Sequence, residues 1–189
     1  MNLLAHAVLS PDQELIRIGN VLADFFLRSQ ISDLAIEIQE GVSLHKKIDH
    51  FTDSHPIVER SKARLIGFQR FGNPLVDVFY DHFLTKSWAH EQTIRRFTDS
   101  LYRAIEGCHE YLPQPCVQIS QRMIEQDWMN QYDSFDGMKI NLLRMEQRIE
   151  SRTGRTVDLV SSLQILEREY SGFEADFLEF WPQLVGHVS

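Results

Sequence analysis

The amino-acid sequence predicts an all-α fold, in which a single compact domain of about eight to ten helices spans residues 1–189. Three observations support this fold class. Apolar residues recur every three or four positions along much of the chain, which is the period of an amphipathic helix. Most of the six prolines stand where a helix would start. No second segment has the character of a strand with which a first could pair.

The individual helices follow from these signals. Residues 33–53 are predicted to be helical, because Leu44, Ile48 and Phe51 follow helical spacing. The stretch 35–38 also fits a short strand, but it has no partner strand, so helix is favoured. Helix starts are predicted at Ser10-Pro11, at His55-Pro56 (to about residue 66), at Asn73-Pro74 (over 75–87) and at Pro115. The remaining helices are predicted over 92–108, 117–129, 138–151, 158–170 and 173–186.

The composition excludes several classes of protein. The net charge of −8 argues against a general nucleic-acid binder, which would carry a basic excess. The two cysteines, Cys108 and Cys116, are too few for a disulfide scaffold and do not form a CxxC zinc motif. We interpret them as reduced thiols of a cytoplasmic protein. Charged residues interrupt the apolar N-terminal stretch, and no apolar run reaches 18 residues, so neither a signal peptide nor a membrane span is expected. The sequence carries no signal for an oligomeric state.

One segment, 41–72, reverses the acidic balance of the chain. We expect an acidic or phosphorylated partner to bind there, because opposite charge favours docking. The alternative is a solvated helix face with no partner. The proposed partner-binding residues are Lys46, Lys47, Arg60, Lys62 and Arg64.

Histidines and carboxylates recur at helical spacing in the first 90 residues. Side chains four residues apart lie side by side on a helix, so two of them can reach one ion. These sets are Asn2 with His6, Asn20 with Asp24, His45 with Asp49 and Asp53, and Asp77 with Asp81, next to His82. Several of these residues stand within apolar stretches, where an acid is seldom buried unless it is paired or binds a metal.

This pattern predicts a shared metal site. The candidate ligands are His6, Asp24, His45, Asp49, Asp81 and His82. Imidazole and carboxylate without thiolate favour Mn²⁺, Mg²⁺ or Fe²⁺ over structural Zn²⁺, and such sites hydrolyse phosphate esters. Each residue also has a simpler interpretation, such as a hydrogen-bonded core histidine at position 6, a helix cap at Asp24 or Asp53, or a solvated ion pair between His45 and Asp49.

Four blocks of the sequence resemble the acyl carrier protein phosphodiesterase family, in the same order and spacing. They are Met1 to His6, Gly19 to Phe25, His45 to Asp53, and Asp81 to Leu84 with Trp88. The resemblance implies a Mn²⁺-dependent hydrolase that releases 4′-phosphopantetheine from a serine of acyl carrier protein. It also implies an all-helical fold distantly related to HD-type phosphohydrolases. The chain departs from the HD signature, since it has no His-Asp dipeptide and carries Asp81-His82 in the reverse order.

The resemblance and the chemistry together suggest roles for individual residues. Asp24, Asp49 and Asp53 are the catalytic candidates, and a carboxylate not bound to metal would orient the attacking water or accept its proton. Asn2 and Asn20 would hydrogen-bond to the metal ligands. Two other functions stay open from the sequence: an HD-type phosphohydrolase acting on a small nucleotide, and a helical interaction module without enzymatic activity.

Overall fold

The computed structural model describes residues 2–89 and 93–189. Within these ranges the chain forms ten α-helices, joined by short 3₁₀ turns and loops, and no strand. The predicted all-α class is therefore confirmed. The helices are α1 (Leu3–Val8), α2 (Glu14–Leu22), α3 (Ile36–Asp53), α4 (Pro56–Arg64), α5 (Gly72–Lys86), α6 (Ile94–Gly107), α7 (Gln114–Glu125), α8 (Phe135–Thr153), α9 (Leu163–Arg168) and α10 (Tyr170–Val188). None of the helices within the described ranges has the length and apolar character needed to span a bilayer.

The buried side chains form two hydrophobic clusters. The first joins α5 and α10 and contains the largest fully buried aromatic residues of the protein, among them Tyr80 and Phe177. The second joins α2, α6 and α7. Helices α1 and α3 contribute to both clusters, because Ile48 packs in the first and Ile38 and Val42 pack in the second. These two helices therefore run through the centre of the molecule.

Helices α2 and α3 touch backbone to backbone, and two glycines make this contact possible. A Cβ atom on Gly19 would lie 2.2 Å from the carbonyl oxygen of Ile38, and one on Gly41 would lie 2.1 Å from that of Ile16. Both distances are far below van der Waals contact, so only glycine fits at either position. The close approach brings Asn20 of α2 against the face of α3 that carries the histidine of the candidate site.

Several predicted helix boundaries are confirmed. Helix α4 begins at Pro56, and His55 caps it by accepting a hydrogen bond from the N–H of Ile57. The capping role predicted as an alternative for Asp53 is therefore wrong. The ambiguous stretch 35–38 is helical from Ile36, which confirms the choice of helix over strand.

Other boundaries differ from the prediction. Helix α2 begins at Glu14, not at Pro11, because the hydroxyl of Ser10 donates to the carbonyl of His6 and thereby ends α1. The segment predicted as one helix over 158–170 contains a 3₁₀ turn, Val160–Ser162, before α9. The predicted start at Gln92 lies outside the described residues, and the described part of that helix is α6.

Candidate metal centre

Two buried histidines and one carboxylate meet where α1 crosses α3. The rings of His6 and His45 stack with their centroids 4.0 Å apart and their planes at 15°. Their exposed fractions are only 2% and 7%. Both Nε2 atoms face Asp49, with His6 Nε2 lying 3.2 Å from Oδ1 and His45 Nε2 lying 3.0 Å from Oδ2. The three residues each offer one ligand atom within 4.8 Å of the others.

Asn20 orients both imidazoles. Its side-chain Nδ2 donates to the carbonyl of His6 and to Ser10 Oγ, each at 2.9 Å, so its Oδ1 is left to accept from His6 Nδ1 at 2.8 Å. Its backbone carbonyl accepts a hydrogen bond from His45 Nδ1, also at 2.8 Å. Both Nδ1 atoms are thus hydrogen-bond donors, and Nε2 is the ring nitrogen that each histidine turns toward Asp49, where it could bind a cation.

These donors fit a divalent cation. Two ligands bound to one ion at about 2.1 Å, at right angles to each other, would lie about 3.0 Å apart. The nitrogen-to-oxygen distances of 3.2 and 3.0 Å match that spacing. Within the described residues, Nε2 of His45 is buried and makes no hydrogen bond of acceptable angle. The structure therefore contains a site that can hold a metal ion between His6, His45 and Asp49.

The electrostatics of the cluster favour a positive charge at its centre. Burial alone would lower the pKa of His45, but the carboxylates of Asp24 and Asp49 outweigh burial and raise it to about 9. Burial opposes ionisation of Asp49, yet its close contacts with the imidazoles of His45 and His6 hold its pKa well below the usual range. Burial lowers the pKa of His6. Near neutral pH a proton on His45 therefore offsets the carboxylates, and a bound cation would replace that proton.

The remaining catalytic candidates lie at the edge of this cluster. Asp24 stands in the 3₁₀ turn that follows α2, with its side chain 69% exposed and Oδ1 3.5 Å from His45 Nε2. The close contact with the imidazole of His45 lowers the pKa of Asp24. Asp53 is exposed and lies one helical turn beyond Asp49, and its pKa is raised by burial and by Asp77. Neither residue belongs to the group of three ligands.

Asp81 and His82 do not belong to the group of three ligand atoms, and the structure gives them other partners. Asp81 is fully buried and accepts hydrogen bonds from the N–H groups of Leu4 and Ala5, at 2.9 and 3.3 Å, so it caps α1. The group of three ligand atoms therefore does not include Asp81. Its capping hydrogen bonds nevertheless hold in place the helix that carries His6. Helix capping accounts for the burial of this carboxylate among apolar residues.

His82 ties α5 to two other parts of the fold. Its Nδ1 donates to the carbonyl of Tyr132 at 2.7 Å, and its Nε2 accepts from the hydroxyl of Tyr170 at 3.0 Å. Both ring nitrogens are therefore occupied by structural hydrogen bonds. Asn2, predicted to support the metal ligands, instead caps α1, where its Oδ1 accepts from the N–H of Leu3.

Three of the five basic residues predicted to meet a partner are bound within the chain. Arg60 and Arg64 each lie 2.5 Å from a carboxylate oxygen of the buried Asp176 on α10. Arg60 also pairs with Glu179, and Lys62 pairs with Glu59. The charges of all three are largely neutralised, and the two arginines join α4 to α10. Lys46 and Lys47 of α3 are exposed, so they alone of the five remain as the candidate patch.

Sequence reasoning missed a residue at the rim of the cluster. Arg148 of α8 donates through Nη2 to the carbonyl of Asp24 at 3.4 Å, and its guanidinium lies 5.3 Å from the centre of the Phe25 ring. The contact joins residues 124 positions apart. No local spacing could have signalled it.

Comparison with known proteins identifies the family to which the chain is related. The family model described as "Acyl carrier protein phosphodiesterase" matches residues 1–184. The chain belongs to the acyl carrier protein phosphodiesterase family. The resemblance found in the four sequence blocks is thereby confirmed over nearly the whole chain.

Curated relatives of the same name match along their full length. The acyl carrier protein phosphodiesterase of Pectobacterium atrosepticum is 28% identical over 189 residues, which cover 98% of this chain and 96% of the relative. That of Photorhabdus laumondii is 25% identical over 193 residues (98% and 93%), and that of an Escherichia coli strain is 26% identical over 193 residues (100% and 98%). No solved structure matches the chain significantly. Of the three predicted functions, family membership favours the phosphodiesterase.

Proposed function

We propose that this protein is a metal-dependent phosphodiesterase that hydrolyses the bond between 4′-phosphopantetheine and a serine of acyl carrier protein. The products are apo-acyl carrier protein and 4′-phosphopantetheine. The observation that carries the proposal is the group formed by His6, His45 and Asp49, in which the Nε2 atoms of two imidazoles and a carboxylate converge. It lies in a chain whose family is named for this substrate and bond type.

The proposed cofactor is Mn²⁺, with Mg²⁺ and Fe²⁺ as alternatives, because the donors are imidazole and carboxylate without thiolate. His6, His45 and Asp49 would hold it, with Asp24 at the open side. A divalent cation bound there supplies a Lewis acid for a phosphoryl oxygen. Asn20 keeps both imidazoles in the tautomer that binding requires.

Asp24 is the proposed general base. Its carboxylate is exposed, faces His45 and is not among the three ligands, so it can accept a proton from the attacking water. The water oxygen forms a bond to phosphorus, the bond between phosphorus and the serine oxygen breaks, and the serine oxygen leaves with a proton. Asp53 is the alternative base, one turn beyond Asp49 on α3.

The two candidates for the base can be separated by their amide variants. We expect Asp24→Asn to lower kcat about 100-fold or more, the usual contribution of a general base, while Asp53→Asn keeps most of the activity. Both variants change the net charge equally and retain the shape of the side chain. If Asp53→Asn suffers the larger loss in kcat, the base is Asp53 and the proposed role of Asp24 is wrong.

The proposed partner surface is Lys46 and Lys47. These exposed residues follow His45 directly on α3, so a carrier protein that docks on them lies next to the metal centre. Positive charge there suits an acidic partner. We also place the reaction in the cytoplasm, since Cys108 and Cys116 are buried thiols without a disulfide.

The proposal is tested by the mass of holo-acyl carrier protein after incubation with the purified protein and Mn²⁺. We expect loss of the phosphopantetheine mass, abolished by EDTA and by His45→Ala. The matched control is His50→Ala, which removes an exposed histidine from the same helix and should leave the reaction intact. An unchanged carrier protein in the presence of folded, metal-loaded enzyme would overturn the proposal and favour a nucleotide phosphohydrolase.

A further inference from the structure

An arginine of α8 reaches across the fold to the rim of the metal centre. Asp24 stands between the two, because its carboxylate approaches His45 Nε2 at 3.5 Å and its carbonyl accepts from Arg148 Nη2 at 3.4 Å. One residue therefore separates the guanidinium from the cluster. The ring of Phe25, 5.3 Å away, supports the guanidinium from the side.

Arg148 is held by a carbonyl and an aromatic ring and not by a salt bridge within the described residues. Its hydrogen bond ends on a neutral carbonyl. Arg60 and Arg64, which also bridge distant parts of the chain, differ in that they end on the carboxylate of Asp176. Burial and the neighbouring Arg152 lower the pKa of Arg148, and the charge of Asp24 opposes them only in part.

The guanidinium retains capacity for another ligand. It has five N–H donors in a rigid fork, and its contact with Asp24 uses one of them. A fork of this kind binds two oxygens of a phosphate at once. The contacts with Phe25 and Asp24 reduce the side-chain entropy that such binding would otherwise cost.

The charge balance of the site with metal and substrate bound favours a further cation. The carboxylates of Asp24 and Asp49 balance one divalent metal ion, while His6 and His45 bind it as neutral imidazoles. The substrate phosphodiester brings one more negative charge, and the phosphomonoester product brings more. Arg148 is placed to neutralise that charge at the exposed side, where Asp24 lies.

We infer that Arg148 binds the phosphoryl oxygens of the substrate at the open side of the metal centre. The inference rests on the proposed function and adds a substrate-binding residue to it. Its competitor is a purely structural role, in which Arg148 only holds the turn that carries Asp24. The two roles differ in whether phosphate affinity or metal affinity depends on the guanidinium.

The experiment compares Arg148→Gln with Arg152→Gln. Each variant removes one positive charge from α8, but Arg152 does not contact Asp24 or Phe25 within the described residues. At saturating Mn²⁺, calorimetry measures the Kd of 4′-phosphopantetheine, and steady-state kinetics measures kcat and KM for holo-acyl carrier protein. A separate titration measures the Kd of Mn²⁺. Arg148→Lys serves as a conservative third variant.

We expect Arg148→Gln to raise the Kd of 4′-phosphopantetheine and the KM about tenfold or more, as for a hydrogen bond to a charged group. Arg152→Gln should stay within about twofold of the native protein on the same scale. Arg148→Lys should recover part of the affinity, because it keeps the charge and loses the fork. The Kd of Mn²⁺ should be the same in all variants.

Two results would overturn the inference. In the first, Arg148→Gln and Arg152→Gln bind 4′-phosphopantetheine equally well, although the native enzyme cleaves holo-acyl carrier protein. The proposed function then stands, but Arg148 does not bind the phosphate. In the second, Arg148→Gln loses affinity for Mn²⁺ but not for 4′-phosphopantetheine, which shows the structural role. If the native protein cleaves no carrier protein, the proposed function fails. The calorimetry then still decides whether Arg148 binds phosphate, and absence of binding to the native protein rejects the inference as well.

Discussion

Replacing Asn20 by alanine should weaken metal binding without unfolding the protein. Asn20 is fully buried, and its side chain makes three hydrogen bonds, to His6 Nδ1, to the His6 carbonyl and to Ser10 Oγ. At roughly 1 kcal/mol for each hydrogen bond, the free energy of unfolding should fall by about 3 kcal/mol. A domain of ordinary stability, about 5–15 kcal/mol, stays folded after such a loss. Loss of a partner that orients a metal ligand lowers metal affinity about 10–100-fold.

Two further variants separate orientation from packing. Ser10→Ala removes a hydrogen-bond partner of Asn20 but leaves the contact with His6 Nδ1. Because Ser10 makes two hydrogen bonds, to Asn20 Nδ2 and to the His6 carbonyl, we expect a loss of about 2 kcal/mol in stability and unchanged metal affinity. Asn20→Asp keeps an acceptor for His6 Nδ1 and should retain metal affinity although it loses the two donated hydrogen bonds. Calorimetric titration with Mn²⁺ and urea unfolding measure both quantities. If folded Asn20→Ala binds Mn²⁺ as tightly as the native protein, Asn20 does not orient the ligands.

Three other expectations concern stability and partner binding. Burial raises the pKa of Asp81 from 3.8 to about 7, so between these pH values the carboxyl is protonated in the folded protein and ionised in the unfolded chain. The contribution of Asp81 to stability therefore falls as the pH rises from about 4 to about 7. Asp81→Asn should therefore gain stability relative to the native protein from pH 4 to pH 7 in urea unfolding; a constant difference contradicts this. Gly41→Ala should lower the free energy of unfolding by about 3 kcal/mol or more, because its Cβ would clash with α2. In the control variant Gly107→Ala the new Cβ meets open space, so stability should not change. Equal melting temperatures of the two variants would refute the argument. Reversing the charges of Lys46 and Lys47 to Glu should raise KM for acyl carrier protein and leave kcat unchanged. The increase in KM should be smaller at high salt, which screens the charges. An unchanged KM at physiological salt rejects the docking surface.

The helices could be predicted because their signals are local. Apolar spacing over 33–53 and the proline after His55 depend on neighbouring residues only, and α3 and α4 lie where they indicate. The start of α2 was mispredicted because Ser10 makes its hydrogen bonds to His6 and Asn20. Those contacts depend on how α1 and α2 pack, and the residues next to Ser10 do not encode them.

The candidate site divides in the same way. His45 and Asp49 come together through the helical repeat, which the sequence shows directly. His6 joins them only because α1 crosses α3, which spacing suggests but does not determine. An acid in an apolar stretch, such as Asp81, indicates a buried partner but does not show whether that partner is a metal ion or a hydrogen-bond donor. In the structure, the N–H groups at the start of α1 bind Asp81. Arg148 lies outside every sequence block that drew attention.

The central claim is that His6, His45 and Asp49 bind one divalent cation. The most direct measurement is anomalous diffraction at the manganese absorption edge from crystals of the protein grown with Mn²⁺. We predict one anomalous peak within roughly 2.0–2.3 Å of His6 Nε2, of His45 Nε2 and of a carboxylate oxygen of Asp49. A peak bound elsewhere, or one that contacts neither histidine, would contradict the assignment of the metal centre.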